Sequence, residues 1–368
     1  MAEQPLLTPY HSKNLNLRNR VVMAPMTRSR ADNPAHVPND LMVQYYEQRD
    51  TAGLIITEGT YVNREAAGYI NVPGIYTPEQ VAGWQNITSN VHAQGGKLFV
   101  QLWHVGRMSH PDLLDGALPL APSALNPYAQ VYTPAGFKET VTPRAMTLEQ
   151  IKQTIADFAQ AAKNAIAAGF DGMEVHSSNG YLFHQFFNGT SNHRTDGYGG
   201  SNENRARLLF DVLDAIQAAG VDMTKVGLRL NPSLDGLFGI TMDEDTIPTF
   251  DYIVQRLNDY DLAYLHLSEP FTDVSKVPFA VPHIAEHYRP LYRGTLIING
   301  GFDQAKGNQV IADGHADLVA FGTPYIANPD LVERFAKHEP LAKGDKNTFY
   351  TAGPKGYTDY PVFAEQAQ

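Results

Sequence analysis

The 368-residue sequence contains no cysteine. Disulfides, thiolate zinc sites, a cysteine nucleophile and a cysteine-ligated iron–sulfur cluster are thereby excluded. Positive charge is also scarce: 28 Lys and Arg stand against 39 Asp and Glu. The resulting net charge of -11 argues against a general nucleic-acid binder and against a protein held on an anionic membrane. A few local donors can still hold a small anion. No apolar run approaches the length of a membrane span, and Met1 to Ser12 lacks the basic and apolar regions of a signal peptide, so a cytoplasmic protein is expected.

What is present is a repeating pattern. Short apolar runs recur at Arg20 to Pro25, Gly53 to Glu58, Lys97 to Leu102, Gly172 to His176, Val226 to Asn231, Ala263 to Ser268, Thr295 to Asn299 and Asp317 to Gly322. Their apolar character is continuous rather than alternating, as in parallel strands buried on both faces. Helical periodicity fills most intervals: Glu79 to Gln94, Leu148 to Ala168 with Thr147 and Gln150 spaced as a capping box, Asn202 to Ala219, Asp245 to Asp259, and Gln304 to Asp313. Eight such alternations predict a single α/β domain, a (β/α)8 TIM barrel over residues 1–368. A doubly wound sheet is the competing fold, but no strand is followed by the GxGxxG turn it would use. His104 to Pro143 is too long for a plain barrel connection and is expected to leave the barrel after the third strand, as a lid over its mouth or as an insertion without function.

In a barrel the C-terminal strand ends share one face, so polar residues there converge from distant sequence positions. The ends carry Pro25, Met26 and Thr27; Glu58 and Gly59; Gln101 and Trp103; His176, Asn179 and Tyr181; Arg229; Gly300 and Gly301; and Gly322 with Thr323. His176 and Asn179 could offer two donors to one oxygen atom, with Tyr181 supplying a proton. The same residues also suit a turn bonded to local backbone. Arg229 lies between Leu228 and Leu230, which implies a buried guanidinium whose partner is either a carboxylate or an anionic ligand. The glycines after the last two strands could bind phosphate through backbone N–H groups.

Six segments in order carry a family resemblance. They are Pro25-Met26-Thr27-Arg28, Gln101 to His104, His176 to Leu182, Tyr198 to Ser201 continuing through Glu203-Asn204-Arg205, Ile326 to Asp330, and Gly356 to Pro361. Together, from about Leu6 to Pro361, the chain resembles the old yellow enzyme family of FMN-dependent ene reductases. The resemblance implies bound FMN, NADPH or NADH as co-substrate, and reduction of α,β-unsaturated carbonyl or nitro compounds with trans addition of hydrogen. It implies cofactor contacts from Pro25, Met26, Thr27, Gly59, Gln101, His176, Arg229, Gly300, Gly301, Gly322 and Thr323. Thr27 would bond the flavin near O4, Gln101 its pyrimidine edge, and Arg229 the region of N1 and O2. His176 and Asn179 would hold the substrate oxygen, Tyr181 would give the proton, and Trp103, Tyr69 and Tyr350 would wall the pocket.

Thr323 departs from the family pattern, which places an arginine there for the FMN phosphate. A hydroxyl supplies no charge, so weaker FMN retention is expected. Thr27 and the Gly356 to Pro361 tail match the branch that usually lacks an arginine from a neighbouring subunit, which leaves both a monomer and a homodimer open. A flavin carrier or sensor without alkene turnover is the alternative function, and the joint presence of His176, Asn179 and Tyr181 argues against it. Flavin barrels of the dienoyl-CoA reductase kind need cysteines the chain lacks. A zinc hydrolase is disfavoured because His176 and His184 lack the spacing of a helical metal pair.

Overall fold

The eight apolar runs form eight parallel strands that close on themselves in sequence order. In the computed structural model, which describes residues 4–363, they are β1 (Val21–Met23), β2 (Leu54–Tyr61), β3 (Leu98–Trp103), β4 (Gly172–His176), β5 (Val226–Leu230), β6 (Tyr264–Ser268), β7 (Leu296–Asn299) and β8 (Leu318–Phe321). All but Asn299 among the strand residues are buried, as continuous apolar runs require.

Helices α1 (Asp40–Glu47), α2 (Pro78–Ala93), α3 (Leu148–Ala167), α4 (Leu182–Phe187), α5 (Asn202–Ala218), α6 (Thr246–Arg256), α7 (Ile284–Tyr288), α8 (Gln304–Ala312), α9 (Thr323–Ala327) and α10 (Leu331–Lys337) complete the described fold. The Thr147/Gln150 capping box at α3 is formed in both directions, and Thr77 with Gln80 makes a second at α2. Helix α3 buries Ile151, Thr154, Phe158, Ala161, Ala162 and Ala165, the three- and four-residue spacing of one helical face. Cutting Phe158 to alanine would cost about 3–5 kcal/mol of that packing. Among the described residues, no helix is long and apolar enough to cross a membrane.

Several boundaries differ from those expected of the sequence. Strand β2 runs on to Tyr61 instead of stopping at Glu58, because its pairing with β3 shifts register between Ile56 and Gly59. Such a bulge spends extra residues at a barrel rim and re-aims the side chains beyond it. The helix expected over Asp245 to Asp259 starts at Thr246 and tightens into a 3-10 turn at Leu257–Asp259. Residues 104–143 contain a 3-10 turn at Pro111–Leu113 and an antiparallel hairpin, Gln130–Thr133 against Gly136–Glu139. Arg107 ties the start of this excursion to the carbonyls of Leu125, Phe238 and Gly239, beside the barrel mouth.

The barrel interior is layered, because side chains two residues apart on a strand share a face. Toward the strands' N-terminal ends it is apolar, with Val22, Leu54, Phe99, Tyr264, Ile297 and Leu318 in one cluster that Tyr10, Leu15 and Leu17 join from a small hairpin. Two residues further along, Phe99 gives way to Gln101, Gly227 to Arg229, Tyr264 to His266 and Ile297 to Asn299. The barrel therefore becomes polar as it approaches its mouth.

Candidate active site

Strand β4 ends at His176, and the chain then turns through two consecutive left-handed residues, Asn179 (φ 59°) and Gly180 (φ 80°). Asparagine tolerates that conformation and glycine adopts it freely. The turn delivers Tyr181 to the start of α4. A cavity of about 140 Å³ opens here, lined by Pro25, Thr27, Gly59, Gln101, Trp103, His176, Asn179, Tyr181 and Arg229. The mouth thus gathers the ends of β1 to β5 around one space.

Donors and acceptors in the cavity are set by their neighbours. His176 Nδ1 faces the Ser178 N–H at 3.4 Å and the Ser178 hydroxyl at 3.2 Å. The ring proton then belongs on Nε2, leaving that nitrogen as a donor. Burial, reinforced by Arg229, His266 and His184, holds His176 well below its usual pKa, so the ring is neutral. Asn179 Oδ1 accepts from Asn231 Nδ2 at 3.2 Å, which frees its own N–H groups. Tyr181 Oη lies 2.8 Å from Tyr69 Oη. Burial and the neighbouring Tyr69 push Tyr181 well above the ordinary phenol value, so it keeps its proton at neutral pH. Trp103 stacks on both His176 (centroids 5.7 Å) and Tyr69 (5.4 Å), fixing the relative placement of these rings. Gly59 is required by the same indole: a Cβ there would sit 2.3 Å from Trp103 Cε3.

Other residues singled out in the sequence lie outside this cavity lining. Tyr69 meets it through Tyr181 and Trp103, whereas Tyr350 is 62% exposed. Met26 packs beside Gly322, and Thr323 is exposed at the first position of α9. Gly300 and Gly301 border a larger cleft of about 630 Å³. That cleft also holds Glu269, Asp273, Glu286 and Asp313 beside Lys306. The smaller cavity is the one that gathers the candidate donors.

FMN, implied by the resemblance, fits this donor set. Arg229 is buried, yet among the described residues it forms no ion pair; its Nη2 donates to Ser268 Oγ at 3.3 Å and its Nε has no partner. The Asn299 amide adds a second acceptor for Nη2 at 2.8 Å when its Oδ1 is turned toward the guanidinium. A buried cation with neutral partners and a spare N–H is matched to a negative charge brought by a ligand. Gly301 (φ 73°) is also open, since a Cβ there would meet nothing within 4 Å.

Beneath the cavity lies a polar layer that the sequence alone did not reveal. Gln101 Nε2 donates to Glu174 Oε1 at 2.7 Å, and His266 Nδ1 stands 2.8 Å from Glu174 Oε2. The two-residue alternation of β4 was the available signal, because Glu174 must face the same way as His176.

With this geometry in hand, comparison with known proteins is direct. Residues 5–342 match the NADH:flavin oxidoreductase / NADH oxidase family. The chain is 43% identical over 369 residues to putative 12-oxophytodienoate reductase 4 of Oryza sativa subsp. japonica, covering 99% of this chain and 95% of that protein. Morphinone reductase superposes with a TM-score of 0.91 at 42% identity, covering 100% of this chain and 98% of the other. An old yellow enzyme homologue from Zymomonas mobilis does so with a TM-score of 0.91 at 38% identity, covering 97% and 99%. The chain belongs to the NADH:flavin oxidoreductase / NADH oxidase family, the old yellow enzymes.

Proposed function

We propose that this protein is an FMN-dependent ene reductase, which uses NADPH or NADH to reduce the activated C=C bond of α,β-unsaturated carbonyl or nitro compounds. The observation that carries the reading is the union, in one cavity, of a buried Arg229 that forms no ion pair among the described residues with two neutral donors and a protonated phenol. Thr27, Gln101 and Arg229 would hold the flavin ring, with Gly300, Gly301, Gly322 and Thr323 toward its phosphate. FMN, when bound, supplies the hydride taken from the nicotinamide and given to the alkene's β-carbon.

The chain's own groups do the rest. His176 Nε2–H and the Asn179 amide hold the substrate's carbonyl or nitro oxygen, and their donation strengthens as negative charge collects there. Loss of one such donor typically costs about 10²–10³ in rate. Arg229 offers positive charge to the electron-rich pyrimidine edge. Tyr181 holds a proton for the α-carbon, and its raised pKa keeps that proton in place between turnovers. Trp103 and Tyr69 shape the walls, and Phe238, 5.7 Å from the Tyr181 ring, closes the side near Arg107. Tyr350 would contribute from the outer rim.

Reduction of 2-methyl-2-cyclohexenone by NADPH in D2O tests this assignment. With NADPH deuterated at the transferred C4 position, NMR of the early product should show deuterium on both the α- and the β-carbon, on opposite faces. Deuterium on the same face would remove Tyr181 from its role.

A further inference from the structure

We propose that Glu174, which takes no part in the chemistry above, is a positioning residue for the flavin: it fixes the orientation of the Gln101 amide and offsets the charge of Arg229. It thereby sets both how firmly the pyrimidine edge is held and how strongly the reduced state is favoured. The proposal rests on the FMN reading of the cavity.

Glu174 is fully buried, and each of its oxygens is taken, one by Gln101 and one by His266. An ionised carboxylate only accepts hydrogen bonds, so Gln101 must turn an N–H toward it. The amide cannot flip without setting oxygen against oxygen, and Gln101 Oε1 is left as the acceptor for a ligand. Oxidised FMN carries one N–H on its pyrimidine edge, N3, between two carbonyl groups. A fixed acceptor at Gln101 is matched to that single donor.

Burial opposes ionisation of Glu174, but the hydrogen bonds from His266 Nδ1–H and Gln101 Nε2–H, with the charge of Arg229, outweigh it and hold the carboxyl below its ordinary range. Burial and Arg229 hold His266 below its usual pKa despite Glu174, so the ring is neutral with its proton on Nδ1. The layer therefore carries one negative and one positive charge. Reduced flavin gathers negative charge on the pyrimidine ring; Arg229 favours that state and Glu174 restrains it.

The test compares Glu174→Gln and Glu174→Asp with the unaltered protein, reading FMN affinity by fluorescence quenching and midpoint potential by dye-coupled anaerobic reduction. Glu174→Gln sets an N–H as well as an oxygen opposite Gln101, so the amide is no longer held one way round and oxidised FMN should bind at least tenfold more weakly. Its potential should rise by about 30 mV or more, which is a tenfold gain in preference for the reduced state of a two-electron couple. Glu174→Asp keeps the charge but shortens the reach, so it should weaken FMN binding and leave the potential unchanged. In Glu174→Gln, weaker binding at an unchanged potential overturns the charge offset, and unchanged affinity overturns the fixed amide. If Glu174→Gln is insoluble, N3-methyl FMN added to wild-type apoprotein decides: tenfold weaker binding than FMN supports the fixed acceptor, and equal binding overturns it. Wild-type apoprotein that took up no FMN would refute the cofactor reading itself.

Discussion

Replacing Tyr181 by phenylalanine removes one oxygen atom and should separate the two halves of the reaction. The ring has reason to stay: it packs edge-on against Trp103 at 4.9 Å and His176 at 5.2 Å, and only 9% of the residue is exposed. Among the described residues the hydroxyl has one protein partner, Tyr69 Oη at 2.8 Å, so the structural loss is one neutral hydrogen bond, about 0.5–1.5 kcal/mol. Tyr69 is partly exposed and can turn its hydroxyl to water. In a domain this large, that loss lowers the melting temperature by about 2 °C. Loss of a general acid is a larger matter, typically 10²–10⁴-fold in the step that needs the proton. Anaerobic stopped-flow measures the two halves apart. Bleaching of the flavin band by NADPH should match wild type within about twofold, whereas its recovery with 2-cyclohexenone should slow by about a hundredfold or more. Unchanged recovery would mean that the proton comes from elsewhere, and equal slowing of both halves would mean that the pocket had collapsed. Because Tyr181 is held well above, and His176 well below, their ordinary values, neither should give an inflection in the wild-type recovery rate between about pH 6 and 9.

If the FMN phosphate lies beside Thr323 as proposed, Thr323→Arg should slow the loss of FMN on dilution by bringing charge to it; faster loss would count against that placement. Gly59→Ala should cost about 1–3 kcal/mol and raise the KM for enones, because the new methyl displaces the Trp103 indole that orders His176 and Tyr69; an unchanged melting temperature would show that the indole yields freely. Burial pushes the Glu58 carboxyl up to about 7, although Tyr46, Arg28 and Arg30 pull the other way. The folded value lies above the ordinary 4.5, so this stabilising contribution is present below pH 4.5 and is lost as pH rises through 7. Glu58→Gln keeps an acceptor for Tyr46, so its melting temperature should climb relative to wild type from about pH 5 to 8, by up to about 3 kcal/mol in stability; a difference independent of pH would contradict the buried neutral carboxyl.

The barrel was legible because its signals are local. Eight buried runs, the Thr147/Gln150 spacing, and the abrupt change of character at His176 all report on neighbours in the chain. The nine cavity residues were legible because barrel topology alone brings strand ends together. Helix α4 was not, since all of Leu182–Phe187 is buried and the segment has no polar face to mark a helical period. The bulge after Ile56 leaves no composition signal, yet it brings Gly59 beside Gln101 and under the Trp103 ring. Glu174 sits in an apolar run where a lone carboxylate gives no hint of partner, and its meaning depends on Gln101 and His266, which are 73 and 92 residues away. The excursion at 104–143 shows by length that it leaves the barrel, but its anchors, among them the Arg107 contacts to Phe238 and Gly239 and the Arg194 contact to Pro122, join residues far apart in sequence. Tyr350, named as a wall residue by the family pattern, is 62% exposed.

The most direct measurement is the visible spectrum of the purified protein under anaerobic conditions, first alone, then with one equivalent of NADPH, then with 2-cyclohexenone. An oxidised-flavin band that bleaches with NADPH and returns with the enone is the predicted result. A protein that stays colourless and inert after reconstitution with FMN would contradict the account at its centre.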